Sequence, residues 1–247
     1  TSGEHPAEDY VAQMEQPVSG LRLGLPAGYF DDLDPEVAAA VETAAALLGK
    51  LTRGIADCAL PGVTHLGNLG GLGETLAWHE QYFRNQPGKY MLNERRRLQS
   101  IADAKPLATE YIRAKWEIES VRRRIDDAFK DFDLVVLPTQ RILAPTLDEL
   151  ITRSNEGKTT NPRVTTNTQP FNVYGIPAIS IPCGFSRSGL PIGLMIAGPR
   201  YSEGRVFALA RAYEAATNWG ARRPPLSPQT PVPVSYTHLT LPTKRIV

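Results

Sequence analysis

Two apolar runs late in the chain, Ala178–Cys183 and Pro191–Ala197, constrain the fold more than any other stretch. Gly184-Phe-Ser-Arg-Ser-Gly-Leu190 joins them, and its Ser188-Gly189 pair supplies a turn, so the pattern predicts a hairpin. A third run, Leu134-Val-Val-Leu137, is uniformly apolar and closed by Pro138, as expected of a strand covered on both faces. Such a strand needs helices on either side of its sheet.

Helical and strand periodicities supply the rest of that sheet and its cover. Leu21-Arg-Leu-Gly-Leu25 alternates like a short strand and leads into a turn region, Pro26 to Asp32. Asp34 can cap a following helix, Pro35 suits its first turn and Glu36 its positive end. Val37, Val41, Ala44, Leu48 and Leu51 mark one buried face, and Ile55 to Leu60 reads as the next strand. This strand–helix–strand order predicts a parallel unit. Gly62 to Gly73, with five glycines, reads as a loop, and Glu74 to Phe83 as a helix. Pro106 to Phe129 is the longest predicted helix, striped by Tyr111, Ala114, Ile118, Val121, Ile125 and Ala128, with Arg122, Arg123 and Arg124 on a solvated face. Ala144 to Pro170 is polar and irregular, and Ser202 to Thr217 is the last helix, with Val206, Leu209, Ala210 and Tyr213 inward. The fold class is therefore α/β, a mixed β-sheet core flanked by helices.

Composition removes several functions. With a net charge of +1 and basic residues scattered among acids, the chain carries no basic face for nucleic acid. No run of 18 apolar residues crosses a membrane, and Thr1 to Pro6 lack the order of a signal peptide. Cys58 and Cys183 read as free thiols in a reducing, cytoplasmic setting. The histidines His5, His65, His79 and His238 include no i, i+4 pair, and there is no C-x-x-C, so neither a metal site nor a cofactor is expected. Gly71-Leu-Gly73 lacks phosphate-loop spacing. Gly184-Phe-Ser186-Arg-Ser188 misses the final glycine of a nucleophile elbow and sits in a hairpin turn, no S-x-x-K occurs, and Thr1 stands in a polar stretch unsuited to an N-terminal nucleophile.

The segment from Asn167 to Gly198, which opens Asn167-Thr-Gln-Pro-Phe-Asn-Val-Tyr-Gly-Ile-Pro-Ala-Ile-Ser-Ile-Pro-Cys-Gly184, resembles the C-terminal half of the amidase signature family, serine hydrolases that cleave C–N amide bonds. Gly20-Leu-Arg-Leu-Gly-Leu-Pro26 with Gly28-Tyr-Phe30 and Asp34-Pro-Glu-Val37, and Asp131-Phe-Asp-Leu-Val-Val-Leu-Pro-Thr139 with Ala144-Pro145, extend the resemblance from about Tyr10 to Pro225. It implies a Ser–cis-Ser–Lys mechanism, in which a neutral lysine takes a proton through a bridging serine and a glycine-rich loop stabilises the oxyanion. The chain contains neither Gly-Gly-Ser nor Gly-Ser-Ser, so no catalytic residue carries over. What carries over is substrate-binding wall: Thr168 and Phe171, with Asn172 and Tyr174 behind them. Thr139, at the end of a buried strand, is a further candidate. In the alternative reading, Phe171 is core and Asn172 caps the turn. Thr165 stands where tRNA-dependent amidotransferase A subunits usually carry Asp, which argues against glutamine as amide donor. Such a subunit, or a non-catalytic binding protein of the same fold, is the alternative identity.

The expected organisation is residues 1–229 as the C-terminal portion of such a domain, partnered by an N-terminal half outside this chain and acting on a small-molecule amide. Residues 230–247 are expected to form a disordered tail. Within it, Val234-Ser-Tyr-Thr-His-Leu-Thr-Leu-Pro-Thr243 resembles a translated sequencing adapter, so 234–247 is expected to be non-native.

Overall fold

The computed structural model describes residues 8–63, 66–105, 107–156 and 162–223, so the expected tail lies outside the described residues. In chain order the elements are α1 (Tyr10–Gln13), β1 (Arg22–Pro26), α2 (Pro35–Leu51), β2 (Gly54–Cys58), α3 (Leu66–Asn85), α4 (Leu92–Ala104), α5 (Ala108–Ala128), β3 (Leu134–Pro138), α6 (Leu147–Asn155), α7 (Gln169–Tyr174), β4 (Ala178–Phe185), β5 (Pro191–Ala197) and α8 (Glu203–Ala216). The strands form one sheet in the order β2-β1-β3-β5-β4. β1 runs parallel to both β2 and β3, while β5 is antiparallel to β3 and β4. The sheet is therefore mixed and flanked by helices, as the patterns predict.

Strand alternation divides the core in two. On one face Leu134 and Val136 of β3 join Ile192, Leu194 and Ile196 of β5 beneath Val41 and Leu48 of α2 and Val206 and Leu209 of α8. On the other, Val135, Leu137, Met195 and Ala197 lie beneath Val121 and Ile125 of α5 and Phe171 and Tyr174 of α7. α2 starts as expected, with the Asp34 carboxylate accepting from Glu36 N at 2.8 Å. The hairpin also forms as expected, with Gly189 at φ +85° in its turn, where a side chain would be strained. An irregularity at Pro182–Gly184 lets β4 continue to Phe185.

Three expectations need correction, and one helix was not foreseen. The glycine-rich stretch is not all loop: α3 begins at Leu66. Each helical glycine costs roughly 1 kcal/mol, but α3 packs on α4 and α5, and its Glu74 accepts from Tyr111 Oη at 2.8 Å and Lys115 Nζ at 3.2 Å, so tertiary contact overrides propensity. The polar stretch after Ala144 contains α6, started by a capping box in which Thr146 N donates to Glu149 Oε2 (2.7 Å) and Glu149 N to Thr146 Oγ1 (3.2 Å). Helix α4, absent from the sequence reading, buries only Leu98 and Ile101, too few positions to show a period. Arg122 is not simply solvated. Its Nε donates to Val173 O at 2.9 Å, at the end of α7, while Arg123 and Arg124 are exposed.

Cys58 is half-buried and Cys183 buried, both as free thiols; burial pushes the first up to about 11 and the second to about 12. Among the described residues no helix is long and apolar enough to cross a membrane.

Two measurements check this account. Leu209 is fully buried between α8 and the sheet, so Leu209→Ala should cost about 2–5 kcal/mol in urea denaturation, whereas exposed Ile151→Ala should stay within about 0.5 kcal/mol. Partial burial pushes the Asp133 carboxyl up, but hydrogen bonds from Arg22 Nε (3.2 Å) and Arg22 N (2.8 Å) outweigh it and hold the group below the usual range. Its folded pKa then lies below the unfolded value of about 3.9. The stabilisation is full above that value and is lost as pH falls through the folded one. Asp133→Asn should be less stable than the wild type at neutral pH and converge with it in strong acid; a gap unchanged by acid would contradict the pairing.

Candidate functional site

β1 and β3 are neighbours, yet the chain leaves them in opposite directions, from β1 towards β2 and from β3 towards the β4–β5 hairpin. The crevice at the C-terminal ends of such strands is where open α/β sheets bind ligands. At that end of this sheet stand the loop after β1, which carries Gly28, Tyr29 and Asp34, and the loop after β3, which carries Thr139 and Arg141.

Asn167 closes the gap between these loops. It is fully buried, and its Nδ2 donates to Tyr29 O at 2.9 Å and Pro138 O at 2.8 Å. Arg141 Nε donates to its Oδ1 at 2.9 Å. Two carbonyls can only accept and a guanidinium can only donate, so the partners themselves fix the orientation of the amide. Arg141 Nη2 also donates to Gly28 O at 2.5 Å, and Arg141 O accepts from Asp34 N at 2.8 Å. Sequence reasoning misses both residues. The amide at 167 is an uncharged polar residue in a polar stretch, and its partners are 138 and 29 residues away in the chain.

From Asn167 the chain enters α7, which starts at Gln169-Pro170 and ends on Gly175 in the left-handed region. Phe171 and Tyr174, three apart, lie on one buried face with Tyr29: ring centroids are 5.9 Å apart for Tyr29–Phe171 and 5.5 Å for Phe171–Tyr174. Tyr174 Oη donates to Pro61 O at 2.5 Å, so the 3.1 Å contact between the hydroxyls is Tyr29 donating to Tyr174. Burial pushes both phenols up, and for Tyr29 the neighbouring Tyr174 adds to the effect. These rings stay neutral at any ordinary pH.

The sequence candidates thus fall in three places. Phe171 and Tyr174 are closed into the core beneath α5. Asn172 is exposed, and Thr168 is half-buried with its Oγ1 donating to Thr165 O at 3.3 Å. Thr139 is half-buried, its Oγ1 2.7 Å from Ser180 Oγ on β4, and both hydroxyls stand on the Met195 face of the sheet, the face that α7 also covers. The buried serines are committed elsewhere. Ser186 Oγ bonds Ser188 Oγ at 2.7 Å and accepts from Leu190 N at 3.0 Å, and Ser202 Oγ donates to Pro199 O at 2.6 Å. No group of three His, Cys, Asp or Glu side chains among the described residues could hold a metal ion.

The Amidase family model matches residues 1–207. The A subunit of glutamyl-tRNA(Gln) amidotransferase from Myxococcus xanthus (strain DK1622) is 29% identical over 92% of this chain and 51% of its own length; that of Dechloromonas aromatica (strain RCB) is 31% identical over 91% and 50%. The chain spans about half the length of the curated relatives it matches. Among solved structures, 6-aminohexanoate cyclic dimer hydrolase superposes with a TM-score of 0.72 and 26% identity over 91% of this chain and 50% of that one. A bacterial aryl acylamidase of the amidase signature family gives 0.64 and 21% over 87% and 47%, a likeness of fold alone.

If Asn167 organises the crevice, Asn167→Ala should cost about 3 kcal/mol or more by urea denaturation, since it strips partners from two carbonyls and a guanidinium. Asn172→Ala, at an exposed position, should stay within about 0.5 kcal/mol. Equal effects at the two positions would remove Asn167 from that role.

Proposed function

The chain belongs to the Amidase family, and from that membership we propose that it is the C-terminal half of an enzyme hydrolysing the C–N bond of a small-molecule amide. The observation that supports this reading is the C-terminal end of the sheet, where Asn167 ties the loops after β1 and β3 together and sets Thr139 and Thr168 beside that junction. In this reading a serine nucleophile, its bridging serine and a lysine base come from residues outside this chain. The chain supplies the wall. Thr139 and Thr168 face the bound amide, Phe171 and Tyr174 hold α7 in place from behind, and Asn172 lies at the rim. The attacking serine forms an acyl-enzyme, the amine leaves, and water releases the acid.

A second reading is favoured by the curated relatives, which carry the name of an amidotransferase A subunit. It would use glutamine as amide donor and need partner subunits. Thr165 speaks against it, because a neutral, exposed hydroxyl stands where those subunits usually carry a carboxylate.

The two separate in one assay series. The 247-residue chain should show no turnover of aryl or alkyl amides, since loss of a nucleophile typically costs ~10⁶ in rate. The same chain extended upstream in its gene should hydrolyse them without glutamine or tRNA. Turnover by the 247-residue chain alone would overturn the division of labour. An extended protein that only moves the amide nitrogen of glutamine onto charged tRNA would establish the second reading.

A further inference from the structure

Directed contacts hold both ends of α7. At its start Asn167 is clamped between the loops after β1 and β3. At its end Arg122 of α5 donates from Nε to Val173 O at 2.9 Å. The chain turns there on Gly175, at φ +66°, and a Cβ at that glycine would stand 3.4 Å from Arg122 Nε and 3.7 Å from Cζ, so the guanidinium lies against the turn itself. A cation beside the last carbonyls of a helix meets the negative end of its dipole. Glu119 accepts from Arg122 Nη1 at 3.0 Å and so orients the fork. Arg200 Nη2 donates to Arg122 O at 2.5 Å, and Val121 and Ile125 of the same helix are buried against the sheet. Arg122 therefore reaches α7 from a fixed turn of α5.

A helix pinned at one end can still pivot. Phe171 and Tyr174 hold α7 to the core by apolar burial, which is non-directional, and their directed contacts are made only by the hydroxyl at the tip of Tyr174. Arg122 instead grips the main chain. We propose that Arg122 is a positioning residue that sets the direction of the α7 axis and hence the orientation in which Thr168 and Asn172 are presented. This rests on the reading of Thr168 as wall facing the bound amide. Arg122 itself touches no substrate; it acts through α7. Lysine is no substitute, because one ammonium on a flexible stem lacks the planar fork that bonds Val173 O and Glu119 together.

The test uses the ¹⁵N-labelled 247-residue chain and the protein extended upstream in its gene. In the first, Arg122→Ala should shift the amide signals of Thr168 and Asn172 and leave those of Val206 and Leu209, on the opposite face of the sheet, in place. Arg122→Lys, which keeps the charge, should shift them too, whereas Arg123→Ala, at an exposed position one residue on, should not. In the extended protein, at a temperature where each variant is folded, Arg122→Ala should raise KM for propionanilide about tenfold with kcat within about twofold, the pattern of lost binding. A residue that only stabilised the fold would leave both constants unchanged. Unmoved Thr168 and Asn172 signals in Arg122→Ala, wild-type signals in Arg122→Lys, or an unchanged KM in a folded Arg122→Ala enzyme would each overturn the proposal. If the extended protein hydrolysed no amide, the hydrolase reading would fall and the α7 signals alone would decide this one. If it hydrolysed propionanilide with KM indifferent to Arg122, the hydrolase reading would stand and this one would fall.

Discussion

One buried side-chain amide holds the functional end of the sheet together. Asn167 gives its two donors to the carbonyl that ends β3 and to one in the loop after β1, and its acceptor to Arg141, which itself reaches Gly28. A buried polar group without its partners costs more than a made hydrogen bond returns. The three segments therefore have one relative placement in which every group is satisfied. The chemistry admits few substitutes: Asp has no donors and Gln is a methylene longer. The identities of Tyr29 and Pro138 matter little to this contact, because only their carbonyls take part. From the clamp the chain passes directly into α7, so the position of that helix follows from the position of the amide.

The sheet carries two unlike faces, and this decides what each side of the site can do. Beneath α2 and α8 the packing is mainly aliphatic, and a cleft opens beside Val37, Ile181 and Ile192. Beneath α5 and α7 the packing closes around Tyr29, Phe171 and Tyr174, whose hydroxyl chain ends on the Pro61 carbonyl. Rings packed edge to face in a dry layer are poor at admitting a ligand but good at fixing a helix. Family resemblance suggests Thr168 and Phe171 as substrate wall, with Asn172 and Tyr174 behind them. The structure buries both rings and leaves Thr168 and Thr139 half-buried.

Elements with a strong period were legible in the sequence. The stripes Val37–Leu48 and Ala114–Ile125, the continuous run of β3 and the hairpin closed at Gly189 all fold as their patterns state, because each pattern reports burial of its own residues. Elements without one were missed or misread. α4 buries only two apolar side chains, α3 carries glycines that propensity assigns to loops, and α6 announces itself only by the Thr146–Glu149 capping box.

The sequence by itself determined which face of each periodic element turns inward, the α/β class and the absence of a serine motif, because these depend on residue type and local spacing. Only the tertiary structure decided that Asn167 and Arg141 join the loops after β1 and β3, that Phe171 and Tyr174 pack in the core beneath α5 and that Ser180 meets Thr139 over Gly193. Those relations join residues 26 to 138 positions apart, or set strands side by side out of chain order. No local pattern encodes a hydrogen bond to a distant carbonyl, since every residue has a carbonyl and the fold alone selects which one comes within reach.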